Sequence, residues 1–212
     1  KNKKPNHHYG EFAEDIFINR VFQNLNSGFY IDIGAYHPFK GSLTNLLFQK
    51  GWRGMNIDLS QDSVELFKIA RPNDLNINCA ITSFNGETYY YQNSEINQQN
   101  SLFKTNNIQK KIKVDALTLN ELIKKEKIVQ CDYLNIDTEG NELDILQNIK
   151  FDIIQPLLIS IEDNCFDLQN ENKKKIINLM MEKEYQMINI IGVTMFFTNK
   201  SNVIKFFNLI NI

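Results

Sequence analysis

The sequence predicts an α/β protein with a mostly parallel sheet of seven strands and helices on both faces. Short apolar segments rich in β-branched and aromatic residues alternate with stretches of helical periodicity, as expected when helices connect parallel strands. Four of these segments end in an acidic residue: Asp32, Asp58, Asp137 and Glu162. The last two segments, 185–191 and 193–198, are separated by Gly192, which predicts an antiparallel hairpin.

Length and composition favour one globular domain spanning residues 1–212. With 42% hydrophobic and 23% charged residues, the chain can bury a substantial core. Lys+Arg 23 against Asp+Glu 25 gives a formal net charge of -2, so nothing indicates nucleic acid or an anionic membrane as a partner. The apolar runs are too short to span a bilayer. The three cysteines fit neither a disulfide framework nor a zinc site, and we expect a cytoplasmic protein.

The N-terminal quarter is predicted to contain a loose segment, a helix and one βαβ unit. Residues 1–8 are polar and expected to be loose. A helix is predicted over 11–25, with apolar residues at roughly helical spacing: Phe12, Ile16, Val21, Phe22 and Leu25. Strands are predicted at 29–33 and 54–59. The helix between them, 43–49, ends at Lys50-Gly51, a basic last turn followed by a glycine.

This βαβ unit resembles the first half of a nucleotide-binding sheet. Gly34 follows the first strand and lets the backbone approach a ligand, because glycine has no Cβ. Asp58 ends the second strand, where it can accept hydrogen bonds from ribose hydroxyls. The loop lacks the G-x-G-x-x-G spacing, which argues against a pyrophosphate site but leaves room for an adenosine without phosphate. The alternative is an ordinary doubly wound sheet with acids at its surface.

The remaining elements are predicted from the same signals. A helix over 61–70 stops before Pro72, and a third strand, 75–81, carries Asn78 and Ala80 near its carboxyl end. Further strands are expected at 87–92, 111–114, 133–137 and 157–162, and further helices from Thr118 to Lys127, after Gly140 to 149, and over 172–183. Residues 93–107 are rich in Asn, Gln and Ser and predict a mobile loop or lid.

The strand-end acids should lie along one edge of the sheet, because the carboxyl ends of parallel strands meet there. A strand-end aspartate can also simply cap the following helix, and for Asp32 and Asp137 that alternative stays open. Asp137 and Glu139, in Asp137-Thr138-Glu139-Gly140, can act as general base, or bind Mg or Mn through oxygen ligands together with Glu162. His37 is a further candidate base, although a lone histidine in a loop is commonly a surface residue.

Several of these stretches resemble the FkbM-type methyltransferases. The similarity rests on motifs in the family's order: Asp32-Ile33-Gly34-Ala35, Gly51 to Asp58, Asn78-Cys79-Ala80-Ile81, Leu134 to Glu142, and the strand ending Ile161-Glu162, preceded by Gly10 to Asp15. The first loop departs from the family's D-x-G-A-N-x-G, because Tyr36-His37-Pro38 follows Ala35. The second-strand acid is Asp58, where the family commonly has Glu.

The resemblance implies a Rossmann-like class I methyltransferase that uses S-adenosyl-L-methionine to methylate a hydroxyl of a sugar, nucleotide-sugar or glycan. Its implied cofactor residues are Asp32, Gly34, Ala35, Asp58, Asn78 and Ala80. Asp58 would hold the ribose, Asp32 would lie near the methionine end, and Asn78 and Ala80 would border the adenine. Asp137, Glu139 and His37 are the catalytic candidates. An NAD-dependent oxidoreductase and a catalytically silent binding module remain the alternatives.

Overall fold

The computed structural model describes residues 8–93, 101–102 and 108–202. Its helices are α1 (Glu14–Val21), α2 (Asn45–Gln49), α3 (Gln61–Ala70), α4 (Leu119–Lys125), α5 (Glu142–Asn148) and α6 (Glu171–Glu182). Its strands are β1 (Phe29–Ile33), β2 (Arg53–Asp58), β3 (Leu75–Asn78), β4 (Ala80–Ile81), β5 (Gly86–Asn93), β6 (Ile108–Leu117), β7 (Tyr133–Ile136), β8 (Leu158–Glu162), β9 (Tyr185–Ile191) and β10 (Thr194–Asn199). No helix within this described part of the chain is long and apolar enough to cross a membrane.

Seven strands form one sheet in the order β3-β2-β1-β7-β8-β10-β9. Neighbouring strands are parallel except that β10 runs antiparallel to both β8 and β9. This mostly parallel sheet agrees with the prediction from sequence. The strand order reverses between β1 and β7, where Ile31 lies opposite Leu134, and a crevice opens at such a point beyond the carboxyl ends of the strands. A smaller sheet of order β4-β6-β5 stands beside the large one.

Alternating side chains of the strands bury the two faces of the sheet under different helices. One face, which includes Ile31 and Leu134, packs against α4, α5 and α6. The opposite face, which includes Tyr30 and Leu158, packs against α1, α2 and Trp52. The helices therefore cover both faces, and the carboxyl edge of the sheet is left for loops.

The first helix is shorter than the periodicity predicted. It begins at Glu14 instead of residue 11, because Ala13 adopts a left-handed backbone conformation with φ 62°. The carboxylate of Glu14 accepts the N–H of Phe12, and the carboxylate of Asp15 accepts the N–H groups of Tyr9 and Gly10. These bonds stabilise a turn before the helix. Three of the residues predicted to form the buried face are exposed instead: Phe12, Ile16 and Leu25.

Two predicted strands in the middle of the chain also differ. The strand predicted at 75–81 is divided at Cys79, so that β3 pairs with β2 while β4 joins the smaller sheet opposite Ala116. The strand predicted at 111–114 is the ten-residue β6, which pairs along β5. The remaining helices and strands agree with the predicted bounds to within about two residues. Of the predicted lid, 93–107, Asn93 is the last residue of β5, Ser101 and Leu102 are described, and the other residues lie outside the described part of the chain. Residues 1–7 of the segment predicted to be loose, 1–8, also lie outside that part.

Candidate functional site

A cavity of about 560 Å³ opens at the carboxyl edge of the large sheet. It lies where β1, β2, β7 and β8 end, which is the place that the strand order indicates for a ligand. Seven acidic residues line it: Glu11, Glu14, Asp32, Asp58, Asp137, Glu139 and Glu162. No lysine, arginine or histidine is among the described residues that line it. The cavity therefore favours a ligand that carries positive charge or none.

Asp58 is held at the end of β2 by two backbone donors. Its Oδ2 accepts the N–H of Tyr36 at 2.8 Å, and its Oδ1 accepts the N–H of Ser60 at 2.7 Å. The Ser63 hydroxyl also hydrogen-bonds to this carboxylate. Three of the four acceptor sites on the two oxygens are therefore used, and one remains for a hydroxyl of a ligand. Burial raises the pKa of Asp58 to about 6, and the nearby Asp32 carboxylate adds to this rise. Asp58 is therefore fixed in orientation and faces the cavity with acceptor capacity to spare.

Gly34 lines the same cavity, but a contact within the protein explains why glycine is needed there. Its backbone has φ +80°, and an added Cβ would lie 1.5 Å from the carbonyl oxygen of Asp137. The N–H groups of Gly34 and Ala35 both donate to the carbonyl of Ile57, at 2.9 and 3.1 Å. Neither N–H is thus free to bind a phosphate. The first loop is packed against two neighbouring strands.

Asp32 lies deeper, in a buried polar layer beneath the cavity. Its carboxylate accepts hydrogen bonds from Thr44 Oγ1 at 2.8 Å and Asn135 Nδ2 at 2.9 Å. Asn135 in turn accepts a hydrogen bond from Ser160. Burial raises the pKa of Asp32, while these two hydrogen bonds and the positive charge of Arg71 act against the rise. The side chain is anchored by the protein, and it also lines the cavity.

The other predicted cofactor and catalytic residues divide into two groups. Ala35 and Ala80 line the cavity. Asn78 does not, because its amide donates to the carbonyls of Asp58 and Leu59 at 3.0 and 2.8 Å and holds the end of β2. His37 does not line it either, since its Nδ1 accepts the N–H groups of Phe39 and Lys40 within its own turn. These hydrogen bonds give Asn78 and His37 local structural roles, and neither side chain is among the residues that line the cavity.

Asp137 and Glu162 bring two carboxyl groups together at the ends of β7 and β8. They lie within hydrogen-bonding reach of each other, and burial together with the charge of Glu162 raises the pKa of Asp137 well above its usual range. Two carboxylates this close do not both ionise easily, so the pair holds its last proton more tightly than an isolated carboxyl group does. Asp137 in this pair is consequently less suited to remove a proton than an isolated carboxylate.

Glu139 differs from this pair, because its surroundings bring its pKa close to neutral pH. Burial and the charge of Glu162 raise its pKa to about 7, against a hydrogen bond that it accepts from Asn164 Nδ2 at 2.8 Å. A general base works best with a pKa near the operating pH. The backbone of Glu139 has φ 57°, a left-handed conformation uncommon outside glycine and asparagine. Its side chain faces the cavity at the cost of that strain.

Sequence reasoning missed residues that shape this part of the site. The Glu142 carboxylate accepts the N–H groups of Thr138 and Gly140 at 2.8 and 3.1 Å, which holds the loop that carries Glu139. An acid in the first turn of a helix four residues after a threonine is a signal for that contact. Asn164 also lines the cavity, and no local sequence pattern marks it as a site residue. Glu11 and Phe12 line it too; they belong to the Gly10 to Asp15 motif, to which the sequence assigned no role in the site.

The predicted metal site is not supported. Within residues 8–93, 101–102 and 108–202, no group of three or more histidine, cysteine or acidic side chains is arranged to hold a metal ion. Asp137 and Glu162 hydrogen-bond to each other, and Glu139 pairs with Asn164. Mg²⁺ would require their oxygens to converge on one point. The function proposed below includes no step through a metal.

Comparison with known proteins agrees with this geometry. A family model described as a methyltransferase FkbM domain matches residues 32–187, more than half of the 212-residue chain. The matched region begins at Asp32 and includes every strand from β2 to β8. A search of curated proteins found no match. The chain therefore belongs to the FkbM methyltransferase family, as the resemblance of its motifs predicted.

Proposed function

We propose that this methyltransferase takes its methyl group from S-adenosyl-L-methionine and transfers it to a hydroxyl of a sugar, nucleotide-sugar or glycan-type molecule. The observation that carries the proposal is Asp58, a cavity-lining carboxylate that three protein donors fix at the end of β2 and that keeps acceptor capacity for a ligand. A ribose presents adjacent hydroxyls that such a carboxylate can accept. Ala80, Ile81 and Leu59 supply an apolar wall for the adenine beside it.

The charge of the cavity supports the same donor. S-adenosyl-L-methionine supplies a methyl group already activated on a positively charged sulfonium. Asp32 lies on β1, between the strands that carry Asp58 and the carboxyl pair, and a carboxylate at this position would favour the cationic end of that molecule. NAD would instead bring a pyrophosphate to a loop whose first two N–H groups are already bonded to Ile57. This weighs against the oxidoreductase alternative.

On the acceptor side, Glu139 is the proposed general base. As the acceptor oxygen forms its bond to the methyl carbon and the bond from that carbon to sulfur breaks, the hydroxyl proton passes to the Glu139 carboxylate. The Asp137–Glu162 pair, whose two carboxyl groups are joined by a hydrogen bond, orients the acceptor through the oxygens that this bond leaves free. Alignment of this kind can supply about 7–11 kcal/mol of a barrier.

The same acids narrow the acceptor class. A phosphate group near Glu139 would lie close to Glu11 and Glu162. None of the described residues that line the cavity is positively charged. Repulsion between the phosphate and these carboxylates is costly in a partly buried site. Of the acceptors proposed, a neutral sugar hydroxyl suits the cavity better than a nucleotide-sugar whose phosphates lie close to the methylated position.

Calorimetric titration with S-adenosyl-L-methionine, S-adenosylhomocysteine and NAD tests the donor. We expect both adenosyl compounds to bind at micromolar concentrations and NAD to give no heat above dilution. Asp58→Asn should weaken both adenosyl compounds at least tenfold, because the amide replaces one acceptor oxygen with a donor. Binding of NAD alone would support the oxidoreductase, and no binding of any of the three would support the silent module.

The affinity for S-adenosylhomocysteine should fall in acid. The pKa of Asp58 lies at about 6 in the free protein, so its carboxylate is largely ionised at pH 7 and largely protonated at pH 5. We expect about tenfold weaker binding at pH 5 than at pH 7. The step should disappear in Asp58→Asn and persist in Glu139→Gln. A step that vanished only in the second variant would assign the titration to Glu139.

A further inference from the structure

Arg71, at the end of α3, is a completely buried guanidinium that no carboxylate pairs with directly. Its relative exposure is 0%, and within the described residues no carboxylate oxygen lies within 4.0 Å of it. The rings of Phe48 and Phe67 lie 5.0 Å from its guanidinium carbon. Burying an arginine without a direct ion pair is costly, so its hydrogen bonds must offset much of that cost.

Those hydrogen bonds go mainly to the loop between β1 and α2. Nη2 donates to the carbonyl of Pro38 and to Ser42 Oγ at 3.0 Å, and Nη1 donates to Thr44 Oγ1 at 2.8 Å. Nη2 also reaches Asn45 Oδ1 at 3.4 Å, on the first residue of α2. The planar fork of one side chain therefore holds three residues of the loop and the first residue of α2.

This loop forms much of the cavity wall, although Arg71 itself does not touch the cavity. Six cavity-lining residues lie between β1 and α2: Gly34, Ala35, Tyr36, Gly41, Ser42 and Leu43. The loop also sets both acids of the donor side, since Tyr36 N–H donates to Asp58 and Thr44 Oγ1 donates to Asp32. Asp58 and Asp32 thus depend on a segment that Arg71 fixes from beneath.

We propose that Arg71 is a positioning residue for the adenosyl donor, holding the β1–α2 loop so that Tyr36 and Thr44 orient Asp58 and Asp32. In nucleotide-binding sheets with a glycine-rich loop, the close approach of the backbone fixes that segment. Here Tyr36-His37-Pro38 occupies the corresponding stretch, and a buried guanidinium performs the fixing. The inference rests on the donor proposed above.

The test is binding of S-adenosylhomocysteine by Arg71→Lys, compared with a variant of matched stability. Lysine keeps the charge but has one ammonium, which cannot hold Pro38, Ser42 and Thr44 together. We expect its dissociation constant to rise at least tenfold. Met180→Ala is the control, because Met180 is fully buried on α6 against the opposite face of the sheet. Its affinity should stay within twofold at a temperature where both variants are folded.

A second readout separates positioning from a general loss of stability. The acid step in binding should move to higher pH in Arg71→Lys, because Asp58 would lose the N–H of Tyr36 that favours its ionised form. Asp32 and Tyr90, the titratable groups that interact with Asp58, are intact in both variants. The step should be unmoved in Met180→Ala.

Thr44→Val provides a variant that leaves the guanidinium in place. It removes the hydroxyl that joins Arg71 to Asp32, and we expect at least threefold weaker binding. If Arg71→Lys does not fold, the affinity of Thr44→Val tests the inference in its place. Parent-like affinity in Arg71→Lys, an equal loss in Met180→Ala, or unchanged affinity in Thr44→Val would each overturn the inference. Failure of the parent to bind S-adenosylhomocysteine would instead overturn the proposed donor.

Discussion

Gly34→Ala should lower the free energy of unfolding by more than about 4 kcal/mol, a loss that single substitutions rarely reach. The added Cβ would lie 1.5 Å from the carbonyl oxygen of Asp137, and the positions of both atoms are fixed by backbone that the parallel β1–β7 pair holds in register. A backbone collision cannot be relieved by a rotamer change. The strands would have to separate at their carboxyl ends, where the cavity lies. Urea unfolding followed by circular dichroism measures the loss.

Gly41→Ala is the matched control. Its φ of +70° is close to the +80° of Gly34, so both alanines carry a similar left-handed backbone penalty of about 1–2 kcal/mol. At Gly41, however, the nearest atom to an added Cβ is Tyr36 Cδ1 at 3.8 Å, an ordinary contact. We expect it to cost no more than the backbone penalty. Equal losses in the two variants would show that the contact with Asp137 is not what requires glycine.

Gly34 also shows which part of the site could be predicted from the sequence and which part could not. The position of a glycine directly after a buried strand correctly marked the loop that borders the cavity. The sequence attributed the glycine to a ligand, whereas the structure places the Asp137 backbone there. These two residues are 103 positions apart, and no local pattern reports the distance between them. A contact of this kind appears only when the register of β1 against β7 is known.

The strand-end acids were predictable for a general reason. Parallel strands bring their carboxyl ends to one edge, so Asp32, Asp58, Asp137 and Glu162 had to gather once the strands were recognised. What the sequence did not show is that Asn78 and His37 form local hydrogen bonds, as short polar side chains near strand ends commonly do.

The bounds predicted for the first helix, 11–25, were wrong for a related reason. The spacing of apolar residues predicted one continuous helix. Instead, the carboxylates of Glu14 and Asp15 accept hydrogen bonds from backbone N–H groups of the preceding residues. Those bonds favour a turn, and the turn places Phe12 against Gly192 at the edge of the cavity. Local polar contacts therefore outweighed hydrophobic periodicity.

Glu139→Gln should reduce turnover by about two to four orders of magnitude while leaving affinity for S-adenosylhomocysteine within about twofold. The amide keeps the size of the side chain but cannot accept the acceptor's proton. Initial rates with a hydroxyl acceptor identified by a donor-saturated screen of neutral glycosides measure turnover, and calorimetry measures binding. Glu182→Gln, the same change at an exposed residue of α6, should leave both quantities unchanged.

Glu139→Gln should be more stable than the parent in mild alkali, because the surroundings of Glu139 in the folded parent disfavour its ionised form. Burial and the charge of Glu162 raise the pKa of Glu139 from 4.5 to about 7. The unfolded chain then binds fewer protons than the folded one between these values, so stability falls as pH rises through about 7. Glutamine does not titrate, and its thermal midpoint should exceed the parent's at pH 8 but not at pH 5. Parent-like turnover together with an unchanged midpoint at pH 8 would remove Glu139 from the role of base and leave the Asp137–Glu162 pair as the remaining candidate.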